Sequence, residues 1–344
     1  MGIERLQLSR RSLLAGAAGF SITTIAVMKN GRASASPSDR ISIAVASSNL
    51  ITTLEQVLKK AGFLERFGLV ADTIFVVDGS KLLGAIISGD VDYCPLSGYA
   101  SIFPAIARGA DLKLINASIR LGQQAIFSGN PAIKTIKDLQ GKTVGVGSLD
   151  AQLYEVTLAL LLKNGVDPKT VTFADIGSSS NVFSAVAAKV IDAGLGQVDN
   201  IPMEKKLGVH VVQGGEAWVD LKEFPFQGGY ASTKVIAEKR DVFIRTLAAY
   251  ATLFRYISGP TSHDAFLAAR QEALGKSGPA FDGSSEFQWQ FMQKTQPFAL
   301  DLILPPQGVD YVQDLNIKLG LQTARLPYEQ VADMSMAQAA IKLL

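Results

Sequence analysis

The chain has 344 residues, with 33 Lys and Arg against 31 Asp and Glu, two His and one Cys. Residues 1–35 hold five of the basic residues and one acid, so 28 against 30 remain, a net −2 that argues against nucleic acid or an anionic membrane as partner. A single cysteine excludes an internal disulfide, Cys94 lies too deep in the chain to carry a lipid anchor, and the remainder suffices for one large core or two of ordinary size.

Arg5, Arg10 and Arg11 precede the apolar run Leu13 to Met28, and Ala33-Ser34-Ala35 follows it. Basic end, apolar middle and small-residue site are the order an export signal requires, and Ser9-Arg10-Arg11-Ser12-Leu13-Leu14 reads as its twin-arginine form. Sixteen residues interrupted by Gly16 and Gly19 fall short of the roughly 20 that span a bilayer. The expectation is cleavage after Ala35 and a mature protein in the periplasm, with no membrane insertion.

From Ile41 onward, runs of Val, Ile and Thr alternate with stretches of helical period, the mark of an α/β fold with parallel strands and crossover helices. ISIAVAS (41–47) reads as a strand, Leu54, Val57, Leu58 and Ala61 as one face of a helix stopped by Gly62, and DTIFVVD (72–78) as the next strand. The plan recurs in KTVGVGSLD (142–150), a helix from 151 stopped by Gly165, and VTFADIG (171–177). KLLGAIISGDVDYCPLS (81–97) likewise matches NVFSAVAAKVIDAGLGQ (181–197), with Asp92 opposite Asp192. Two lobes of one plan follow. GQQAIFSGNP (122–131) reads as a crossing out of the first lobe and QGGYASTKV (227–235) as the return, giving lobe 1 as 36–125 with 230–344 and lobe 2 as 126–229. Beyond 235 the pattern is helical, covering the first lobe and attaching it to the second.

In IKDLQGKTVGVGS (136–148), VIDAGL (190–195) and the tail LPYEQVADMSMAQAAIKLL, the sequence resembles the nitrate/sulfonate/taurine branch of the periplasmic binding proteins, the NMT1/THI5-like proteins. It departs from their pattern at Lys189-Val190, where a Gly before Val-Asp is usual, although Gly89 keeps the pattern in the first lobe. The resemblance implies a type II periplasmic-binding-protein fold, two Rossmann-like lobes joined by two crossover strands. It further implies a monomer that closes around a small organic ligand and docks on the permease of an ABC importer and its ATPase, with no cofactor and no metal. The rival roles are a sensory or accessory binding protein and, more remotely, an exported enzyme.

In such sheets ligands meet the carboxyl ends of strands, where helix N-termini present free N–H groups. The candidates there are Ser47, Ser48, Asn49, Ser97, Tyr99, Ser118, Arg120, Ser148, Gln197 and Asp199, together with the segment Ser178 to Asn181. Ser47 to Asn49 serve equally as helix caps, Arg120 as a solvated arginine or a fork for a carboxylate or sulfonate, and Asp199 as the start of a turn. Tyr154, Trp218, Phe226 and Tyr230 are candidates for the cleft walls or for core. Catalysis lacks its parts: His210 and His263 have no neighbouring metal ligand or nucleophile at motif spacing, no GxSxG occurs, and Asp150 replaces the third glycine of a dinucleotide fingerprint after Gly145-Val146-Gly147. The fungal pyrimidine synthases of this fold use a cysteine-rich motif, and this chain has one cysteine. Helix N-termini and Arg120 favour an anionic ligand, with a sulfonate, a carboxylate and a pyrimidine-like ring all open.

Overall fold

A computed structural model describes residues 39–76, 79–99, 101–149 and 151–344. The export-signal features at 5–35 lie outside the described residues, as do Val77, Asp78 and Asp150. Among the described residues ten strands form: β1 (Arg40–Ala46), β2 (Val70–Val76), β3 (Cys94–Ser97), β4 (Leu112–Ile119), β5 (Gln124–Ser128), β6 (Thr143–Val146), β7 (Thr172–Asp175), β8 (Ala193–Gln197), β9 (His210–Glu216) and β10 (Gln227–Ser232).

They make two sheets of one design. In the first, β1 pairs in parallel with β2 and is bridged at Ile43–Tyr93 to the β3-β10-β4 ribbon, so the order is β2-β1-β3-β10-β4. The second runs β7-β6-β8-β5-β9. In each, the antiparallel strand next to the edge is the one reached directly after the chain changes sheets, β10 in the first and β5 in the second. The chain crosses between Ile119 and Gln124 and returns between Glu216 and Gln227.

The internal repeat extends to single side chains. Asp92 Oδ2 accepts the Ser42 amide at 2.8 Å, and Asp192 Oδ2 accepts the Thr143 amide at 2.9 Å, the carboxylates fastening the matching strands β1 and β6. The turn before each also repeats. Gly89 has φ 80°, and Lys189, at the position where the sequence lacks glycine, adopts the same left-handed conformation at φ 59°. The turn is conserved between the two halves at the cost of backbone strain at Lys189.

Strand β10 threads between β3 and β4 because Gly228 and Gly229 carry no side chains: a Cβ on Gly228 would lie 2.2 Å from Tyr99 Oη, and one on Gly229 2.1 Å from Asn116 Oδ1. Beyond β10 the described chain is helical, as the sequence pattern requires. The helix Arg240–Ile257 buries Phe243, Leu247, Tyr250 and Phe254 against the first sheet's core. The helices His263–Leu274 and Pro279–Thr295 reach the second half, where Trp218 packs edge-on against Phe291 with ring centroids 5.1 Å apart.

Candidate functional site

A cleft of about 290 Å³ lies where the carboxyl ends of β1, β3, β6, β7 and β8 converge on the two crossings. Three helices begin at its wall: Asn49–Lys60, capped by Ser48 Oγ accepting from the Ile51 amide at 3.3 Å, Ser179–Ala187, capped likewise by Ser178, and Gln152–Lys163, whose first residue lines the cleft. Their N-terminal N–H groups and dipoles give the wall positive potential without a formal charge. None of the described residues lining the cleft is charged.

Of the residues singled out in the sequence, Ser47, Ser48, Ser97, Ser148 and Gln197 line this cleft. Asn49 opens the adjoining helix without entering the lining. The other four are committed elsewhere. Ser118 is buried, donating to the Pro95 carbonyl at 2.6 Å and accepting from Asn116 Nδ2 at 2.7 Å. Tyr99 turns into the core beneath Gly228, beside Phe103, and burial pushes its hydroxyl pKa up. Arg120 forms an ion pair with Asp301 and donates to the Ile303 carbonyl at 3.2 Å, so its guanidinium is spent on the loop after residue 296. Asp199 is buried against Arg270, whose Nε donates to Ser285 Oγ at 3.1 Å, tying the 3-10 turn Val198–Met203 to the C-terminal helices.

Glutamines complete the site, and sequence reasoning passed over them. Gln123 and Gln124 stand on the outward crossing, Gln227 on the return, and Gln152 at a helix start. Gln152 Nε2 donates to the Phe226 carbonyl at 2.8 Å, so its Oε1 must accept, and it receives Gln227 Nε2 at 2.8 Å. That fixes the Gln227 amide with Oε1 free. Gln123 Oε1 accepts from Gln288 Nε2 at 2.6 Å, which leaves Gln123 Nε2 free. These two atoms and Gln124 Oε1 have no hydrogen-bond partner among the described residues, although their residues are only 7%, 2% and 7% exposed. A buried amide end without a partner costs free energy until something pairs with it, and all three residues line the cleft. The visible signal was a polar Gln-Gln pair inside an otherwise apolar crossing strand.

Among the described residues lining the cleft there are serines but no Cys, His, Lys, Tyr or carboxylate. Cys94 is fully buried and burial pushes its thiol up to about 12. His210 pairs with the Ile133 carbonyl at 2.7 Å, and His263 with Asp264 and Glu286 at the surface. Among the described residues no group of three or more His, Cys, Asp and Glu is placed to hold a metal, and no helix is long and apolar enough to cross a membrane.

Comparison with solved structures finds the same architecture. The alkanesulfonate-binding protein SsuA from Xanthomonas axonopodis pv. citri, bound to MOPS, matches with a TM-score of 0.69 at 16% identity, over 86% of this chain and 98% of its own. The periplasmic aliphatic sulphonate binding protein SsuA from Escherichia coli matches at 0.66 and 17%, over 85% and 91%. The desulfurization enzyme DSZB matches at 0.60 and 14%, over 88% and 99%. At such identities the likeness carries the fold, which is that of the periplasmic binding proteins. No curated protein sequence matches. The NMT1/THI5-like pattern matches residues 55–252, more than half of the chain, and the protein belongs to that family.

Proposed function

We propose that this protein is the solute-binding subunit of an ABC importer, exported to the periplasm by its twin-arginine signal, which captures a small organic ligand between two lobes and delivers it to the permease. The observation that carries the reading is the cleft itself: three helix N-termini and three glutamines with unpartnered amide ends line it between the sheets, with no Cys, His, Lys or carboxylate among its described lining. The solved structures of like fold include two sulfonate-binding proteins, which supports a transport role over the enzymatic one represented by DSZB.

The ligand class that fits is a small organic anion, a sulfonate or a carboxylate. Its charge would meet helix dipoles and serine hydroxyls, with Gln123 Nε2 as a further donor, while the carbonyl ends of Gln124 and Gln227 would accept from a ligand hydroxyl or N–H. A cationic ligand has no described carboxylate in the cleft to answer it. Closure requires that the ligand bind the closed arrangement better than the open one, and Gln152, bonded to Phe226 and Gln227, ties the second half to the return crossing beside the ligand.

The test is a thermal-shift screen of the mature protein, before and after unfolding and refolding to strip bound solute, against sulfonates, carboxylates, aromatic acids, pyrimidines, amino acids and inorganic anions. At about a hundred times its Kd a ligand adds about 2.7 kcal/mol, on the order of 5 °C in Tm. A shift confined to organic anions, abolished by Gln123→Ala with Gln227→Ala, supports the reading. Inertness toward every class after refolding rejects it.

A further inference from the structure

We propose that the cleft continues into a second, apolar chamber, and that the ligand is amphipathic, its polar head among the serines and glutamines and an alkyl or aryl arm in this chamber. The proposal rests on the reading of the cleft as a solute site and adds the shape of the solute.

The chamber encloses about 510 Å³, against about 290 Å³ for the polar cleft, and Ser101 and Ala151 line both, so the two spaces adjoin. Small-molecule sites commonly run from about 300 to 1,000 Å³; the polar cleft by itself is head-sized, and the two together are not. Leu83, Ile87, Leu149, Tyr154, Leu158 and Leu321 form the apolar walls, with Arg108 and Glu155 the charged residues among its described lining. The walls come from both sides of the cleft, the helices Gly79–Ser88 and Ile102–Ala107 on one side and residues 149–158 on the other. Both sides of the cleft therefore contribute to the chamber, as they do to the polar site.

Two further observations point to an occupant. Ile87, Leu149 and Leu321 are 49%, 52% and 46% exposed, three large apolar side chains left open to solvent around one cavity. An apolar arm would remove that surface from water. Then there is Gly84, in the middle of the helix Gly79–Ser88, where glycine is a poor helix former. Its φ is not positive, and a Cβ built on it meets no atom within 4 Å, so neither conformation nor packing calls for glycine there. What the missing side chain does is keep the chamber wall clear. This space is joined to the ligand site and lined by both halves, which favours the arm of the same solute over a protein partner.

The experiment is calorimetric titration of the refolded mature protein with ethane-, butane-, hexane- and octanesulfonate, and in parallel with 1-butanol to 1-octanol, which carry the arm without the anionic head. Wild type is expected to gain about fourfold in affinity for each added methylene until the chamber is filled. Gly84→Phe, which fills the chamber from a position where helix propensity improves, is expected to lose tenfold or more for octanesulfonate while ethanesulfonate stays within twofold; Gly84→Ala should follow wild type. Short sulfonates that bind with no dependence on length overturn the second chamber and leave the solute-binding reading intact, as does a Gly84→Phe protein with the wild-type length dependence. If no sulfonate binds, that head group is wrong and the alcohols decide: octanol held by wild type and excluded by Gly84→Phe upholds the chamber, and octanol bound by neither overturns it.

Discussion

Gln152 lies directly over Gly98: a Cβ added to Gly98 would come within 2.6 Å of Gln152 Cβ and 2.7 Å of its Cγ. Gly98 directly follows the first sheet's β3 and Gln152 starts a helix of the second half, so this contact sets how closely the two sides of the cleft approach. Gly98→Val should drive Gln152 away and break its bonds to Phe226 and Gln227. Two hydrogen bonds at about 1 kcal/mol each translate into a ten- to thirtyfold weaker ligand affinity, measurable by titration. The Tm of the ligand-free protein should change little, because the lost contacts lie between the helix start and the return crossing and leave each sheet intact.

Arg120→Ala should leave ligand affinity within twofold of wild type. Its guanidinium is paired with Asp301, on a loop outside the cleft, and both side chains are about half exposed, so the stability loss should stay below about 1 kcal/mol. Chemical denaturation and titration of the same variant check both halves of the expectation.

Glu55 gives the protein a pH signature. It is buried on the helix Asn49–Lys60, accepts a hydrogen bond from Tyr250 at 2.7 Å, and desolvation raises its pKa from the usual 4.5 to about 7. The folded protein thus holds a proton on Glu55 that the unfolded chain releases above about pH 4.5. The stabilisation this gives is complete below pH 4.5, falls as pH rises, and is gone above about pH 7, a change on the order of 3 kcal/mol. Urea unfolding from pH 4.5 to 8.5 should show Glu55→Gln gaining on wild type through that window, and a constant difference between the two would contradict it.

Lys189 holds a left-handed turn that Gly89 makes without strain in the other half. Lys189→Gly should therefore stabilise the protein by about 1 kcal/mol, less than the full relief because glycine also frees the unfolded chain. Gly89→Lys should cost at least as much. Denaturant midpoints of the two variants, of opposite sign, are the measurement.

The fold was legible because its information is local and repeated. Alternating strand and helix periods, glycine stops at 62 and 165, and the Asp92–Asp192 match all lie within short windows, and the structure gives each carboxylate the same job. The serines of the cleft were legible for the same reason, since a strand end followed by a cap is a local pattern. What remained hidden depends on partners distant in sequence. Nothing near Arg120 announces Asp301, and nothing near Asp199 announces Arg270, so two charges that look available in the sequence are already paired. Tyr99 looks like a stacking ring beside a glycine until β10 inserts and closes over it. Gln123, Gln124 and Gln227 sit in strands that read as buried, and only the meeting of the two crossings turns them toward one cleft.

The insertion of β10 between β3 and β4 also orders events in time. The second sheet, from Gln124 to Glu216, is drawn from one unbroken stretch and can assemble as soon as that stretch is free to fold. The first sheet lacks an interior strand until Gln227–Ser232 arrives, and until then β3 and β4 present unpaired edges with Leu96 and Leu114 uncovered. The sheet whose strands come first is the one completed last, and any aggregation during synthesis or refolding should start from it.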